Sequence, residues 1–396
     1  MKSYYQSIDQ KFILYHGDSV ECLKEIGTKC DMIFADPPYF LSRGYSSRIN
    51  GEWKQFEKGE WDRTRSIKDI NTFNYKWLSL CRNILKEDGT IWVSGTYHNI
   101  FSVATCLVTL GFKVLNIIVW HKTDAKPTLS KNYFNFTTEY LVWARKNEKI
   151  PHYFNCDLMQ QINGGSRMGD VWNIPFVSSW EMKLGKHPTQ KPLRLLYRII
   201  LSSTRKGETI IDPFSGSGTT GIAANLLGRK FIGIDQSNEF LNYSIKRKKE
   251  IEDANNAEII RKKMSENPLE LMVIVNHARK DLRLQMIDKG ICYLRAGDSN
   301  GSVLITPGFE RLQYVLLHTN GNDCQLFKLR TKGKFQIWNK ESLEKCGFQP
   351  QNASYYIVLH FDGTKPVTIK HKPNLLQGLN TYRVKLKPLS DFIGIK

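Results

Sequence analysis

A glycine-rich segment at residues 212–221 strongly limits the possible architecture. It reads Asp-Pro-Phe-Ser-Gly-Ser-Gly-Thr-Thr-Gly, and Gly216, Gly218 and Gly221 fit the pattern G-x-G-x-x-G. An apolar run at 209–211 precedes the segment, and Asp235 ends the next apolar run, 19 positions after Gly216. A strand, a glycine turn and a helix in this order bind nucleosides in α/β folds, with the acidic residue on the ribose. No lysine follows the glycines, so a Walker nucleotide site is not indicated.

Apolar, often β-branched runs alternate with helical patterns over the first 250 residues. The predicted strands are 12–15, 32–35, 90–93, 114–120, 140–143, 209–211 and 231–234. The predicted helices are 74–85, 100–110, 192–203 and 219–227. Strands that alternate with helices indicate a parallel sheet covered on both faces. The sequence therefore predicts a doubly wound, Rossmann-like α/β fold.

A second motif, Asp36-Pro37-Pro38-Tyr39, follows the predicted strand at 32–35. It therefore lies at the carboxyl end of a strand, which is the ligand-binding edge of an open α/β sheet. The two prolines stiffen the backbone and hold a carboxylate and an aromatic ring at a fixed separation. Taken alone, the four residues are also compatible with a proline-rich turn that carries a solvated aspartate.

Charge and cysteine usage narrow the class of partner. Lys and Arg number 57 against 38 Asp and Glu, a net charge of +19, which favours a polyanion such as nucleic acid. The eight cysteines include no C-x-x-C pair, so no zinc or other metal site is expected. No apolar run reaches the roughly 18 residues that a membrane span requires. A cytoplasmic protein without a membrane partner is expected.

Together the two motifs resemble the amino-methyltransferases of DNA, which combine a glycine loop with D-P-P-Y. Because D-P-P-Y precedes the glycine loop, the order resembles that of the circularly permuted β subgroup. Three further segments are similar to that subgroup: His16-Gly17-Asp18, His187-Pro188-Thr189-Gln190-Lys191-Pro192 and Phe231-Ile232-Gly233-Ile234-Asp235. The similarity runs from about residue 10 to 250. The sequence of this region resembles those of bacterial restriction–modification enzymes that methylate adenine in GATC or GANTC.

The resemblance implies S-adenosylmethionine as methyl donor and adenine N6 of a flipped-out base as acceptor. The family's acceptors for the amino group correspond to the Asp36 carboxylate and the Pro37 carbonyl, with Pro38 completing the motif and Tyr39 stacking on the base. The resemblance assigns the cofactor adenine to Asp18 and the ribose to Asp235. The other cofactor-binding residues that it implies are Asp36, His187, Thr189, Asp212, Phe214, Gly216, Gly218 and Thr219.

The predicted organisation is a catalytic domain at 1–250, a charged helical linker at 251–270 and a basic, β-rich domain at 271–396. The last segment holds 19 Lys and Arg against 9 Asp and Glu, which suits DNA binding. By resemblance, an insertion at about 145–186 reads the target site. Double-stranded DNA is the expected partner. Single-stranded DNA, a second copy of the chain and a cognate restriction endonuclease are further candidates, and a location with the bacterial nucleoid is expected.

Four alternatives remain open. One is an enzyme of the same kind that methylates adenine in RNA. A cytosine-N4 methyltransferase would use the same fold, although that group more often carries serine in place of Asp36. A nicotinamide-dependent oxidoreductase would use the glycine loop but leaves D-P-P-Y and the charge of +19 unexplained. A non-catalytic DNA-binding protein would have no need of an intact Asp36.

Overall fold

The computed structural model describes residues 1–40, 45–49, 52–56, 66–125, 132, 134–163, 166–177, 179–182, 189–253, 272–297, 302, 304, 309, 312–318, 323–330, 335–350, 353–370 and 385–388. The chain divides into two compact units. The first comprises 1–154, 169–225 and 229–245, and the second comprises 155–168, 226–228 and 246–396. The predicted insertion at 145–186 is therefore shared between the two units.

The strands of residues 1–253 are β1 (Tyr5–Gln6), β2 (Phe12–His16), β3 (Cys30–Ala35), β4 (Tyr45–Ile49), β5 (Glu52–Phe56), β6 (Leu85–Gly95), β7 (Lys113–His121), β8 (Thr138–Arg145), β9 (Val171–Asn173), β10 (Thr209–Asp212) and β11 (Lys230–Asp235). The helices are α1 (Ser19–Glu25), α2 (Ile67–Ile84), α3 (Ile100–Thr109), α4 (Cys156–Ile162), α5 (Leu193–Ser203), α6 (Thr219–Leu226) and α7 (Asn238–Asp253). A 3-10 turn covers Ser179–Met182. Every predicted strand and helix of this region overlaps one of these elements.

Nine strands form the central sheet in the order β1-β2-β11-β10-β3-β6-β8-β7-β9. The strands from β2 to β6 in this order are parallel. β8 is antiparallel to both β6 and β7, so the far side of the sheet is mixed rather than parallel. The doubly wound α/β fold is confirmed. β7 and β8 follow each other in the chain and pair directly with each other, an arrangement typical of antiparallel strands.

The helices cover the sheet with apolar faces. In α2, the residues at positions 70, 74, 77, 78, 81 and 84 are buried, a helical spacing that directs one face to the core. Trp77 and Leu78 pack in one cluster with strand residues Ile33, Ile91 and Ile211. α2 begins at 67 rather than at 74 because the Ser66 side chain caps it, accepting from the Asp69 amide at 3.2 Å.

Beyond residue 271, the described residues form β12 (Met272–His277), β13 (Ile291–Arg295), β14 (Leu312–His318), β15 (Asp323–Lys328), β16 (Gln336–Asn339), β17 (Tyr355–His360), β18 (Val367–Lys370) and β19 (Lys385–Pro388). Two helices accompany them, α8 (Lys280–Asp288) and α9 (Lys340–Lys345). The sheets have the orders β18-β15-β14-β12-β19 and β13-β17-β16. This region is rich in strands, as its alternating pattern indicates. Residues 254–270, most of the predicted linker, lie outside the described residues.

Within the described ranges, no helix combines the length and apolar character needed to cross a membrane.

Candidate active site

Both sequence motifs lie at the carboxyl edge of neighbouring strands. β3 and β10 are parallel, with Ile210 opposite Met32 and Ile211 opposite Ile33. The D-P-P-Y motif follows β3, and the glycine loop follows β10. From β10 the chain passes through α6 to β11 on one side, while from β3 it passes through α2 to β6 on the other. A crevice opens where the connections diverge, which is where open α/β sheets bind ligands.

A cavity of about 350 Å³ lies in this crevice. That volume is within the range of about 300–1,000 Å³ that small-molecule sites occupy. Four chain segments supply most of its walls, namely the start of α1, the D-P-P-Y motif, the glycine loop and the end of β11, and Phe73, Thr189 and Phe240 complete them. The lining residues are Asp18, Ser19, Val20, Asp36, Pro37, Pro38, Tyr39, Phe40, Phe73, Thr189, Pro213, Phe214, Gly216, Asp235, Gln236, Ser237 and Phe240.

The glycine loop requires its glycines. Gly216 and Gly218 have φ angles of 51° and 73°, which residues with a Cβ rarely adopt. A Cβ on Gly218 would also lie 2.6 Å from Ser244 Oγ. The Gly216 amide donates to Asp235 Oδ2 at 2.7 Å, so the loop is tied to the end of β11. This bond brings the two parts of the predicted nucleoside fingerprint together.

Three carboxylates line the cavity, and two of them, Asp235 and Asp18, lie at the predicted nucleoside end. Asp235 accepts from the Gly216 and Ser237 amides, and burial raises the pKa of Asp235 above its ordinary value. A carboxylate oxygen can accept more than one hydrogen bond, so these contacts are compatible with ribose hydroxyls. Asp18 accepts from the Val20 amide at 2.9 Å and from Gln236 Nε2 at 2.9 Å. Asp18 therefore also caps α1, a role that the sequence reasoning missed.

The structure places Asp212 and Thr219 deeper than the cavity wall. They line a smaller pocket of about 30 Å³ that shares Asp36, Thr189 and Phe214 with the cavity. Asp212 accepts from the Phe214 amide at 3.0 Å and from Thr220 Oγ1 at 2.6 Å. Burial raises the pKa of Asp212 to about 7, although these two donors act in the opposite direction. Through these contacts Asp212 stabilises the conformation of the glycine loop.

The Asp36 carboxylate is bound on both oxygens. Oδ1 accepts from the Tyr39 hydroxyl at 2.6 Å and from the Ser94 hydroxyl, and Oδ2 accepts from Lys191 Nζ at 2.6 Å. Tyr39 is buried, and its pKa is raised well above the ordinary value by burial and by the charges of Asp36 and Glu139. The tyrosine hydroxyl therefore remains a donor. Pro38 is fixed by Asn99, whose Nδ2 donates to the Pro38 carbonyl at 3.3 Å.

The H-P-T-Q-K-P segment is only partly described. His187 lies outside the described residues, whereas Thr189 lines the cavity and its carbonyl accepts from Lys191 Nζ at 3.2 Å. Gln190 accepts from Ser217 Oγ at 3.1 Å, which links this segment to the glycine loop.

Sequence reasoning missed Lys191, Ser94 and Glu139, whose Oε2 lies 3.3 Å from the Tyr39 hydroxyl. Lys191 belongs to the H-P-T-Q-K-P motif, and Ser94 lies near the carboxyl end of β6. These positions in the sequence could have indicated both residues. Glu139 left none, because its position depends on the antiparallel pairing of β8. Among the described residues, no three His, Cys, Asp or Glu side chains are grouped so that they could hold a metal ion.

Comparison with known proteins identifies the family. A family model described as "DNA methylase" (N6_N4_Mtase) matches residues 30–246. The type II methyltransferase M2.MboI of Moraxella bovis is 50% identical over 252 residues, which cover 63% of this chain and 92% of that protein. The type II methyltransferase M2.DpnII of Streptococcus pneumoniae is 49% identical over 248 residues, covering 62% and 92%.

Solved structures similar to this chain are M1.HpyAVI in complex with SAM and the cytosine-N4-specific PvuII DNA methyltransferase. The first is 28% identical with a TM-score of 0.47, and covers 60% of this chain and 98% of its own. The second is 21% identical with a TM-score of 0.48, and covers 61% and 86%.

The family match confirms the predicted resemblance, and the oxidoreductase alternative is wrong. A glycine loop and a D-P-P-Y motif on one cavity, a family model that spans more than half of the chain and relatives of about 50% identity lead to one conclusion. The chain belongs to the N6_N4_Mtase family of DNA methylases, enzymes that transfer a methyl group to DNA.

Proposed function

We propose that this protein methylates adenine N6 of a base flipped out of a short DNA site, as the modification enzyme of a type II restriction–modification system. One observation carries the proposal: the Asp36 carboxylate lines the same cavity as the glycine loop and Asp235. A group that can accept hydrogen bonds from an amino nitrogen thus lies beside a nucleoside-binding loop. The two relatives named type II methyltransferases support the restriction–modification setting.

The residues of the cavity fit S-adenosylmethionine, which supplies an electrophilic methyl group when bound. Asp18 and Asp235 can accept hydrogen bonds from its adenosine part, and rings such as Phe240 and Phe40 offer apolar surface. The absence of a Cβ at Gly218 lets the loop backbone pack against Ser244. The proposed cofactor set is Asp18, Asp36, His187, Thr189, Asp212, Phe214, Gly216, Gly218, Thr219 and Asp235, with Asp212 and Thr219 acting mainly by shaping the loop.

Asp36, Pro37, Pro38 and Tyr39 form the proposed catalytic set. The amino nitrogen of adenine is a weak nucleophile because its lone pair is delocalised into the ring. Asp36 and the Pro37 carbonyl would accept hydrogen bonds from it and so stabilise the positive charge that develops during transfer. Holding the nitrogen in line with the methyl group supplies the proximity effect. Asp36 Oδ1 accepts from the hydroxyls of Tyr39 and Ser94, so one of these two donors would have to be displaced if the amino group binds to that oxygen.

Base flipping costs a few kcal/mol, and stacking on an aromatic ring returns roughly 1–3 kcal/mol per base. The Asp form of the motif supports adenine over cytosine. GATC and GANTC remain the candidate sites. The segment at about 145–186, apart from the buried Lys146, and the basic region 271–396 are proposed to contact DNA, because Lys and Arg there suit phosphates. Homodimerisation, a cognate endonuclease and a nucleoid location are further parts of this proposal.

The test is expression of the full chain in a bacterial host that lacks adenine methylation. Genomic DNA is digested to nucleosides, and N6-methyladenine and N4-methylcytosine are quantified by mass spectrometry. We expect N6-methyladenine, and we expect it to be lost in the Asp36→Ala variant. N4-methylcytosine would identify the enzyme as the cytosine alternative. Absence of both from a host that contains soluble protein able to bind S-adenosylmethionine would contradict the proposal for duplex DNA.

A further inference from the structure

Four charged side chains, two buried lysines and two partly buried carboxylates, alternate in sign at the D-P-P-Y motif. Lys191 Nζ lies 2.6 Å from Asp36 Oδ2 and 3.7 Å from Glu139 Oε2, and Lys122 Nζ lies 2.7 Å from Glu139 Oε1. The exposed fractions of these side chains are 5% for Lys191, 10% for Lys122 and 13% for each carboxylate. We call this set the lysine–carboxylate row. Its formal charges cancel, which explains how four ionisable groups can lie together with little exposure to water.

We propose that Lys191, supported by Glu139 and Lys122, is a positioning residue that fixes the Asp36 carboxylate for methyl transfer. This inference rests on the proposed role of Asp36 as the acceptor for the target amino group. It adds three residues to the reaction, none of which belongs to the D-P-P-Y motif or to the glycine loop.

The geometry divides the work between the two Asp36 oxygens. Lys191 holds Oδ2, while Oδ1 accepts from the hydroxyls of Tyr39 and Ser94. The two donors on Oδ1 are neutral hydroxyls, which are displaced more easily than the ammonium group on Oδ2, so we assign Oδ1 to the amino group. Lys191 stays bound to Oδ2. This bond restricts rotation of the carboxylate, so Oδ1 keeps its direction.

Lys191 is itself held in place. Its ammonium donates to the Thr189 carbonyl at 3.2 Å and lies 5.3 Å from the centre of the Tyr39 ring. Burial lowers the pKa of Lys191, but Asp36 and Glu139 outweigh burial and the net shift is upward, so the group stays charged. Glu139 is anchored from its other side by Lys122, which packs 4.7 Å from the centre of the Phe176 ring. The row therefore extends from β7 and β8 to the catalytic carboxylate.

The experiment compares Lys191→Met with Lys146→Met in the full-length protein. Lys146 is a matched control: it is buried, forms an ion pair with Glu87 at 2.7 Å and donates to the Leu85 carbonyl. Lys191 lines the smaller pocket beside Asp36, whereas Lys146 lines neither that pocket nor the cavity and takes no part in the proposed DNA contacts. Methyl transfer from labelled S-adenosylmethionine to DNA gives kcat, calorimetry gives the cofactor Kd, and thermal melting reports the folded state.

For Lys191→Met we expect kcat to fall at least about 100-fold, the loss that a misplacement of about 1 Å causes. The cofactor Kd should stay within about threefold of the wild-type value, since the row is proposed to position the group that binds the target base. Lys191→Arg should recover about tenfold of that loss, because it keeps the charge but not the geometry. Lys146→Met should keep kcat within about threefold while losing similar thermal stability. Equal kcat values for Lys191→Met and Lys146→Met would overturn the inference, as would a loss confined to cofactor binding.

Glu139→Gln decides the question if Lys191→Met does not fold. It keeps the shape of Glu139 but leaves two ammonium groups without the charge between them, so we expect kcat to fall about tenfold at unchanged cofactor Kd. Adding Lys122→Met removes the unpaired charge, and the double variant should be no slower than Glu139→Gln alone. A kcat for Glu139→Gln equal to that of the wild type would refute the proposed role of the row in positioning Asp36. All transferred methyl is counted, so a wild-type enzyme that labels cytosine would refute the adenine assignment and leave this comparison intact.

Discussion

Substitution of Gly218 by alanine tests the glycine loop, because two separate costs can be assigned to it. The φ of 73° costs an L-residue about 1–2 kcal/mol. The added Cβ would meet Ser244 Oγ at 2.6 Å and Ser244 Cβ at 2.8 Å, an overlap that typically costs about 1–3 kcal/mol. The expected loss of stability is therefore about 2–5 kcal/mol.

Gly207→Ala is the matched control. Gly207 has a φ of 88°, but a Cβ built there meets no atom within 4 Å, so only the backbone cost applies. At about 2–4 °C per kcal/mol, we expect Gly207→Ala to lower Tm by roughly 2–8 °C and Gly218→Ala by roughly 4–20 °C. Gly218→Ala should also weaken cofactor binding about tenfold or more, since a shift of the loop worth 1.4 kcal/mol has that effect.

Thermal melting and calorimetric titration with S-adenosylmethionine measure both effects. Adding Ser244→Gly to Gly218→Ala removes the overlap and should return Tm to about the Gly207→Ala value, after allowance for the cost of Ser244→Gly alone. The reasoning is refuted if Gly218→Ala and Gly207→Ala have the same Tm and both bind the cofactor as the wild type does.

Three further predictions concern the cavity. Asp235→Asn should weaken cofactor binding by about 10- to 100-fold in calorimetry, because the amide loses one acceptor oxygen and the charge on which the Gly216 amide depends. Burial raises the pKa of Asp212 to about 7 in the folded protein, so the folded state binds the proton more tightly than the unfolded chain. The contribution of Asp212 to stability should therefore be present below about pH 4 and be lost as the pH rises to about 7. Urea unfolding should show that the free energy of unfolding decreases from pH 5 to pH 7.5 by less in Asp212→Asn than in the wild type. Tyr39→Ala should lower kcat/KM about 5- to 150-fold more than Tyr39→Phe, since only the latter keeps the stacking ring, and 2-aminopurine fluorescence should report the matching loss of base flipping.

The elements that the sequence predicted are those determined by local pattern. β10, the glycine turn and α6 lie close together in the chain, and their order alone indicates a nucleoside-binding unit. The strand-end rule then brings Asp36 and the glycine loop to one edge of the sheet, and the structure places both on one cavity. The proposed roles of these residues in binding and catalysis remain predictions.

What the sequence could not supply depends on contacts between distant segments. Glu139 approaches Tyr39 across 100 positions, because β8 inserts antiparallel between β6 and β7. Lys122 is linked to Asp36 through its ion pair with Glu139. Asp212 occupies a familiar position in its motif, yet its bonds to Thr220 and Phe214 turn it inward. Burial and sheet order decide these three cases, and neither can be read from a short motif.

The most direct test of the account is methyl transfer by the purified protein to duplex DNA that contains GATC and GANTC sites. Labelled S-adenosylmethionine is the donor, and the digested nucleosides are separated by chromatography. We predict that the label elutes with N6-methyldeoxyadenosine. Asp36→Asn should lower transfer by about 100- to 1,000-fold and weaken cofactor binding by no more than about tenfold, since Asp36 is one of several residues in the proposed cofactor set. Label on cytosine, or transfer by Asp36→Asn at the wild-type rate, would contradict the account.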